Sequence, residues 1–247
     1  MKCVLVSGLS GGAGATTVAA NLAAALQSMG QPSFSVDLDP ANILGLHYGL
    51  EPLAEDGWAA RMAAGEAVGE GVFRSADGRL VLPYGYAEKP FDSSAVLTLA
   101  KNLVRSEAVT SQCDWLIIDL PFRNASNNPT LLEGLRALAD FELRVADTNP
   151  ATYIRLRRRE SSPFLAEPAA LLINNFAPER KLCNDMLLTY KHEYGEQLAP
   201  LHIHRDPALP ESLACLKAVM AYSPFTQAAA DFRSLAIWVS AELAEAE

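Results

Sequence analysis

Hydrophobic positions along the chain fall into two kinds of run. Short blocks that are apolar at nearly every position alternate with longer stretches in which apolar residues recur about every 3.6 positions. The first block, Cys3-Val4-Leu5-Val6-Ser7, stops in glycines and predicts a strand covered on both faces. From Thr16 to Met29 the spacing of Val18, Leu22, Leu26 and Met29 among alanines predicts a helix, with Gly30 placed to end it. Further strands are predicted at Ser33 to Leu38, Leu80 to Tyr84, Trp115 to Leu120, Phe141 to Ala146, Ala169 to Asn174 and Leu198 to His202. Helices are predicted at Ser93 to Arg105, Pro129 to Ala139, Ala151 to Arg159, Glu179 to Tyr190, Pro210 to Val219 and Phe225 to Leu243. Residues 50 to 79 are rich in Gly and Ala and carry little pattern. Strands that are apolar throughout and alternate with helices predict an α/β fold, a doubly wound, mainly parallel sheet with helices on both faces.

Composition narrows this picture. A chain of 247 residues is an ordinary length for one such unit, so a single domain over residues 1–247 is expected. Half the residues are hydrophobic, yet no run reaches the roughly 18 to 20 residues needed to cross a bilayer, and the start lacks a basic region ahead of an apolar stretch. A cytoplasmic protein is expected. The net charge of −9 and pI near 5.0 argue against broad electrostatic binding to DNA or anionic lipid. The dense basic cluster Arg155, Arg157, Arg158 and Arg159 reads either as a solvated helix end or as a docking patch for an acidic partner. The last helix carries an apolar stripe, Phe225, Phe232, Leu235, Trp238, Val239 and Leu243, over an acidic tail, which predicts core packing. Cys3, Cys113, Cys183 and Cys215 lie far apart without metal-ligand spacing, and are expected to be free buried thiols.

Ligands of such sheets sit at the carboxyl ends of the strands, so the loops there hold the informative residues. Leu9-Ser10-Gly11-Gly12-Ala13-Gly14-Ala15-Thr16-Thr17 lies between a strand and a helix. Its glycines allow backbone N–H groups to close around phosphate oxygens at a positive helix terminus, and Thr16 offers a hydroxyl to Mg²⁺. Against the phosphate-loop pattern GxxxxGK[ST], Leu9 takes the first glycine position and Ala15 the lysine position. By itself the loop is a weak signal, since a glycine-rich turn is often only a tight connection. Asp37 and Asp39 close the second strand and Asp119 closes another, followed by Leu120-Pro121. Each aspartate alone reads as a turn or cap residue, whereas together with Thr16 they form a candidate metal-phosphate site.

The strings SGGAGATT, VDLDP, WLIIDLP and LLINNF, in that order, resemble the MinD/ParA branch of phosphate-loop ATPases. Within that branch the chain is similar to the cellulose-biosynthesis family BcsQ, in the stretches DLPFRNAS, IRL, LLINNF and LHIHRD. The resemblance implies that Gly11, Gly12, Ala13, Gly14, Ala15, Thr16 and Thr17 hold the phosphates, with Thr16 on Mg²⁺. It further implies that Asp39 is the switch aspartate, placing the attacking water or its metal, and that Asp119 is the Walker B aspartate of the metal site. Asn174 would read adenine and Arg205-Asp206-Pro207 would lie against the base. Implied too are ATP and Mg²⁺ as ligands and a homodimer acting with other subunits of a cellulose secretion complex, among them a small BcsR-like partner, with membrane contact through partners. Arg123 would stand close enough to turn toward phosphate, or be solvated surface. The branch also has a signature lysine early in the loop, and that position is Ser10. Both lysines are therefore absent, and none occurs between Lys2 and Lys89, which predicts slow or absent hydrolysis.

Overall fold

The computed structural model describes residues 1–89, 91–122, 128–159 and 169–245. Among these, the strands β1 (Lys2–Gly8), β2 (Ser33–Asp37), β3 (Phe73–Arg74), β4 (Leu80–Leu82), β5 (Trp115–Leu120), β6 (Phe141–Asp147), β7 (Ala170–Phe176) and β8 (Leu198–His204) form one sheet. Its order is β3-β4-β2-β5-β1-β6-β7-β8. Every neighbouring pair runs parallel except β3 with β4.

The helices are α1 (Ala15–Ser28), α2 (Trp58–Ala64), α3 (Ser93–Arg105), α4 (Glu107–Thr110), α5 (Pro129–Arg136), α6 (Pro150–Arg159), α7 (Lys181–Tyr194), α8 (Ala208–Ala214), α9 (Val219–Tyr222) and α10 (Gln227–Glu245). Alternate side chains of the central strand point to opposite layers. Val4 and Val6 join α1, α9 and α10 in one core, with Leu22, Leu26, Val219, Phe232 and Val239. Cys3 and Leu5 face the other core, with Trp58 of α2, Leu99 and Leu103 of α3 and Leu131 and Leu135 of α5. A third cluster packs α6 and α7 on β7 through Leu156, Met186, Tyr190, Leu171 and Ile173. Because both faces are covered, every strand can be apolar throughout, which is why the blocks were readable.

Helix α1 ends as its sequence predicts. Gly30 has φ of 75°, its N–H donates to Gln27 O, and the Gln31 N–H donates to Leu26 O, the paired bonds of a glycine-terminated helix.

Four expectations need correction. The poorly patterned stretch 50–79 holds α2, a 3₁₀ turn at Val68–Gly71 and β3. The helix predicted from Pro210 to Val219 is two helices, α8 and α9, broken where Leu216 takes φ of 54°. Phe225 lies before α10 and is 98% exposed, although the rest of its stripe packs inward. Cys215 is exposed, whereas Cys3, Cys113 and Cys183 are buried, and all four thiols are free.

Candidate nucleotide site

The sheet reverses its winding about β1, and the loops after β1, β2, β5 and β7 meet there, at the carboxyl edge where ligands of doubly wound sheets bind. Leu9 continues the β1–β6 pairing, its N–H donating to Val145 O at 2.9 Å, and its side chain joins the α6–α7 core. Losing the first glycine of the phosphate-loop pattern therefore anchors the loop root instead of opening it.

Beyond Leu9 the backbone turns through Gly12 at φ 84° and Gly14 at φ 88°, values that side-chain-bearing residues rarely adopt. Gly14 also has no room for a side chain, since a Cβ there would lie 2.3 Å from Asn174 Nδ2. Asn174, at the end of β7, donates that Nδ2 to Ala13 O at 2.8 Å and so clamps the loop from the far side. Gly11 and Gly12 are exposed. Helix α1 starts at Ala15 with Gly14 as its cap, and no side chain bonds its first turn. Its leading N–H groups are thus open to an anion, at the positive pole of a helix fourteen residues long.

The acidic side of the site comes from β2 and β5, where Asp37, the last residue of β2, pairs in register with Asp119, one residue before the end of β5. Asp37 is fully buried and shapes the following segment, its Oδ1 accepting from Asp39 N–H at 2.8 Å and its Oδ2 from Leu44 N–H at 3.0 Å. Burial, and then repulsion from Asp119, hold its carboxyl well above the ordinary range. Asp39 is partly exposed and caps the next turn by accepting from Ala41 N–H.

Asp119 is 1% exposed, and neither carboxylate oxygen completes a hydrogen bond among the described residues. Burial pushes its pKa up to about 7, the adjacent Thr16 hydroxyl pulling down and Asp39 pushing up. A buried carboxylate without partners is costly unless something outside the chain satisfies it.

Two adjoining pockets follow. The phosphate-side cavity, of about 670 Å³, is lined by Ser10 to Thr16, by Asp39 to Ala41, and by Asp119 to Phe122. The other, of about 590 Å³, is lined by Thr17, Asn174, Asn175, Arg205, Asp206 and Pro207, with Leu209, Pro210 and Leu213. Gly12 lines both. The geometry thus brings the phosphate loop, Asp39 and Asp119 to one pocket and Thr17, Asn174 and the 205–207 loop to the pocket beside it, with Asp37 buried beneath. Asp206 is fixed by two backbone N–H groups, those of Ala208 and Ala228.

No Lys or Arg side chain is among the described residues lining the phosphate side. Ser10, at the signature-lysine position, is 5% exposed, and its Oγ lies 3.1 Å from Thr152 Oγ1 in α6. Arg123 and the side chain of Arg159 lie outside the described residues. Of the basic cluster, Arg157 pairs with Glu193 at 2.9 Å.

Sequence reasoning missed Thr152 and gave Asp37 no separate role. Thr152 carries no local signal, because its partner is 142 positions away. Asn175 could have been flagged: it takes φ of 56°, and a paired Asn-Asn at a strand end suits that conformation.

The residues fit Mg²⁺ with a nucleotide better than a metal alone. No group of three or more His, Cys, Asp or Glu side chains among the described residues is arranged to hold a metal. Mg²⁺ commonly uses one or two carboxylates, a hydroxyl, waters and the phosphates themselves, and Asp119, Asp39 and Thr16 supply the protein share.

Comparison with known proteins gives the family and the fold. The family model for cellulose biosynthesis protein BcsQ matches residues 1–239. The BcsQ protein of Escherichia coli K12 is 29% identical over 243 residues, covering 96% of this chain and 94% of that one. Among solved structures, MinD in the MinC:MinD complex of Aquifex aeolicus superposes with a TM-score of 0.76 at 15% identity, covering 98% of this chain and 96% of that one. MinD of Pyrococcus horikoshii, solved with Mg-ADP, gives 0.70 at 19% identity, covering 96% and 94%. At these identities the structural likeness concerns the fold.

Proposed function

The chain belongs to the family of cellulose biosynthesis protein BcsQ, and from that premise we propose that it is an Mg-ATP-binding switch subunit that assembles or regulates a bacterial cellulose-secretion complex. The observation that carries the nucleotide is the uncapped α1 terminus behind Gly12 and Gly14, facing a buried Asp119 carboxylate that completes no hydrogen bond among the described residues. The cradle holds phosphates by amides and helix terminus, a mode that survives the loss of lysine. Mg²⁺, when bound, neutralises phosphate charge. Thr16 and Asp119 would hold the metal, Asp39 would position the attacking water, and Asn174 with Arg205, Asp206 and Pro207 would border the base. With no Lys or Arg among the described residues lining the phosphate side, charge developing in transfer is poorly stabilised, so turnover is slow or absent. We propose a homodimer as the working unit, with a small BcsR-like protein and other complex subunits as partners, and any membrane contact made through them. No helix of the described residues is long and apolar enough to cross a membrane.

The test is the thermal midpoint of the purified protein with and without Mg-ATP. A ligand that binds only the folded state at 100 times its dissociation constant adds about 2.7 kcal/mol, so a rise is expected. An unchanged midpoint at millimolar Mg-ATP, with partners present, would instead favour a scaffold that has kept the fold and lost the ligand, a reading supported by the lysine-free pocket lining.

A further inference from the structure

On the far side of β2 from α1 lies a groove unrelated to the nucleotide site. Its floor is Phe34, Leu80 and Leu82, and one wall is Leu99 and Leu103 of α3; Met62 and Val68 line it opposite. The volume is about 520 Å³, within the span that suits a small ligand, and an apolar lining with a few polar groups is the usual make-up of such sites. It shares no lining residue with either nucleotide pocket.

One charged side chain lines this groove. Arg74 of β3 is exposed, and among the described residues its guanidinium donates to two neutral acceptors, Gly78 O at 3.3 Å and Gln112 Oε1 at 3.4 Å. By contrast Arg61, Arg79, Arg136, Arg144 and Arg157 each pair with a carboxylate. In a chain with net charge −9, a guanidinium held at an apolar mouth by two long bonds to neutral oxygens, with no ion pair among the described residues, stands ready for an acidic group.

We propose that this groove binds a small amphipathic carboxylate of the fatty-acid class, its alkyl chain between α3 and the half-buried Met62, Val68 and Val72, and its carboxylate on Arg74. The apolar floor supplies affinity through burial of methylenes, and Arg74 selects the head group.

Calorimetric titration of the full chain with decanoate and with the uncharged decanol tests it. Both are expected to bind one to one, decanoate more tightly. Arg74→Ala should weaken decanoate about tenfold, the ratio that corresponds to a charge-assisted hydrogen bond, and leave decanol unchanged. Thr98→Trp, placed at an exposed position of the α3 rim, should abolish both while circular dichroism shows an unchanged fold. Failure of decanoate to bind the unaltered protein overturns the proposal, and would leave the groove to apolar side chains of a partner. Equal decanoate affinity in the Arg74→Ala variant overturns the head-group assignment, and binding that survives Thr98→Trp places the ligand elsewhere. Because the two sites share no lining residue, Mg-ATP should not compete, so the result stands apart from the outcome at the nucleotide groove.

Discussion

Asp119 concentrates the chemistry of this fold in one side chain. Its folded-state pKa of about 7 lies above the ordinary 3.8, so the folded protein holds this proton more tightly than the unfolded chain. Well below 3.8 both forms are protonated and no penalty arises; between 3.8 and about 7 the unfolded chain ionises while the folded carboxyl keeps its proton, so stability falls through that window and is level above it. Asp119→Asn removes that cost. In urea denaturation without metal or nucleotide, the variant should be more stable than the parent by roughly 1–3 kcal/mol at pH 8, with the difference vanishing well below pH 4. A variant less stable at pH 8 would mean that Asp119 is satisfied within the chain. Ala15 allows the complementary change, since it opens α1 at the phosphate-loop lysine position. Lysine there places an ammonium beside the β- and γ-phosphates and is a good helix former, so Ala15→Lys should raise ATP affinity about tenfold in calorimetric titration. Adding Asp39→Ala should keep that affinity and abolish any turnover gained. Unchanged affinity in a folded Ala15→Lys protein would show that the loop does not cradle phosphate.

At the scale of elements, what could be read from sequence was what is local. The glycine loop, the strand-end aspartates and the end of α1 at Gly30 all announce themselves within a few residues. The break between α8 and α9 does not, because its cause lies far along the chain. Buried Asn21 of α1 accepts the Val219 N–H at 2.8 Å through its Oδ1, across 198 positions, and donates Nδ2 to Thr17 O. Periodicity alone joins Pro210 to Val219 into one helix, since it registers neither the left-handed Leu216 nor a cap donated by another helix. The same blindness hid the Ser10–Thr152 contact and the clamp of Asn174 on Ala13, while β3, two residues long, is too short for any pattern. Asn21→Ala leaves the Val219 N–H buried and unsatisfied, and should cost roughly 1–3 kcal/mol in urea denaturation. A loss below about 0.5 kcal/mol, the scale of a surface change, would show that α9 is held by its apolar contacts instead.

The whole molecule shares its fold with its structural neighbours and has no Lys or Arg among the described residues lining the phosphate side, and that combination bears on how two copies associate. In the related branch a signature lysine stands where this chain has Ser10, and such a side chain must leave its own subunit to serve a partner's phosphate. Ser10 cannot: it is short, 5% exposed, and held against Thr152 of α6. If subunits face each other across the groove, their contact must come from the surface around it, where Ile43, Leu53 and Tyr86 remain exposed on the segments beside Asp39. Leu53 is 90% and Tyr86 62% exposed, apolar area that association would bury at about 25 cal/mol per Å². Dimerisation should therefore depend on these side chains more than on nucleotide. Multi-angle light scattering should give the same dimer fraction with and without Mg-ATP, and Leu53→Glu should lower it in both conditions, since a charge is then buried without a partner. A dimer that forms only with Mg-ATP, and that Leu53→Glu leaves intact, would place the driving force in the nucleotide and sink the proposal.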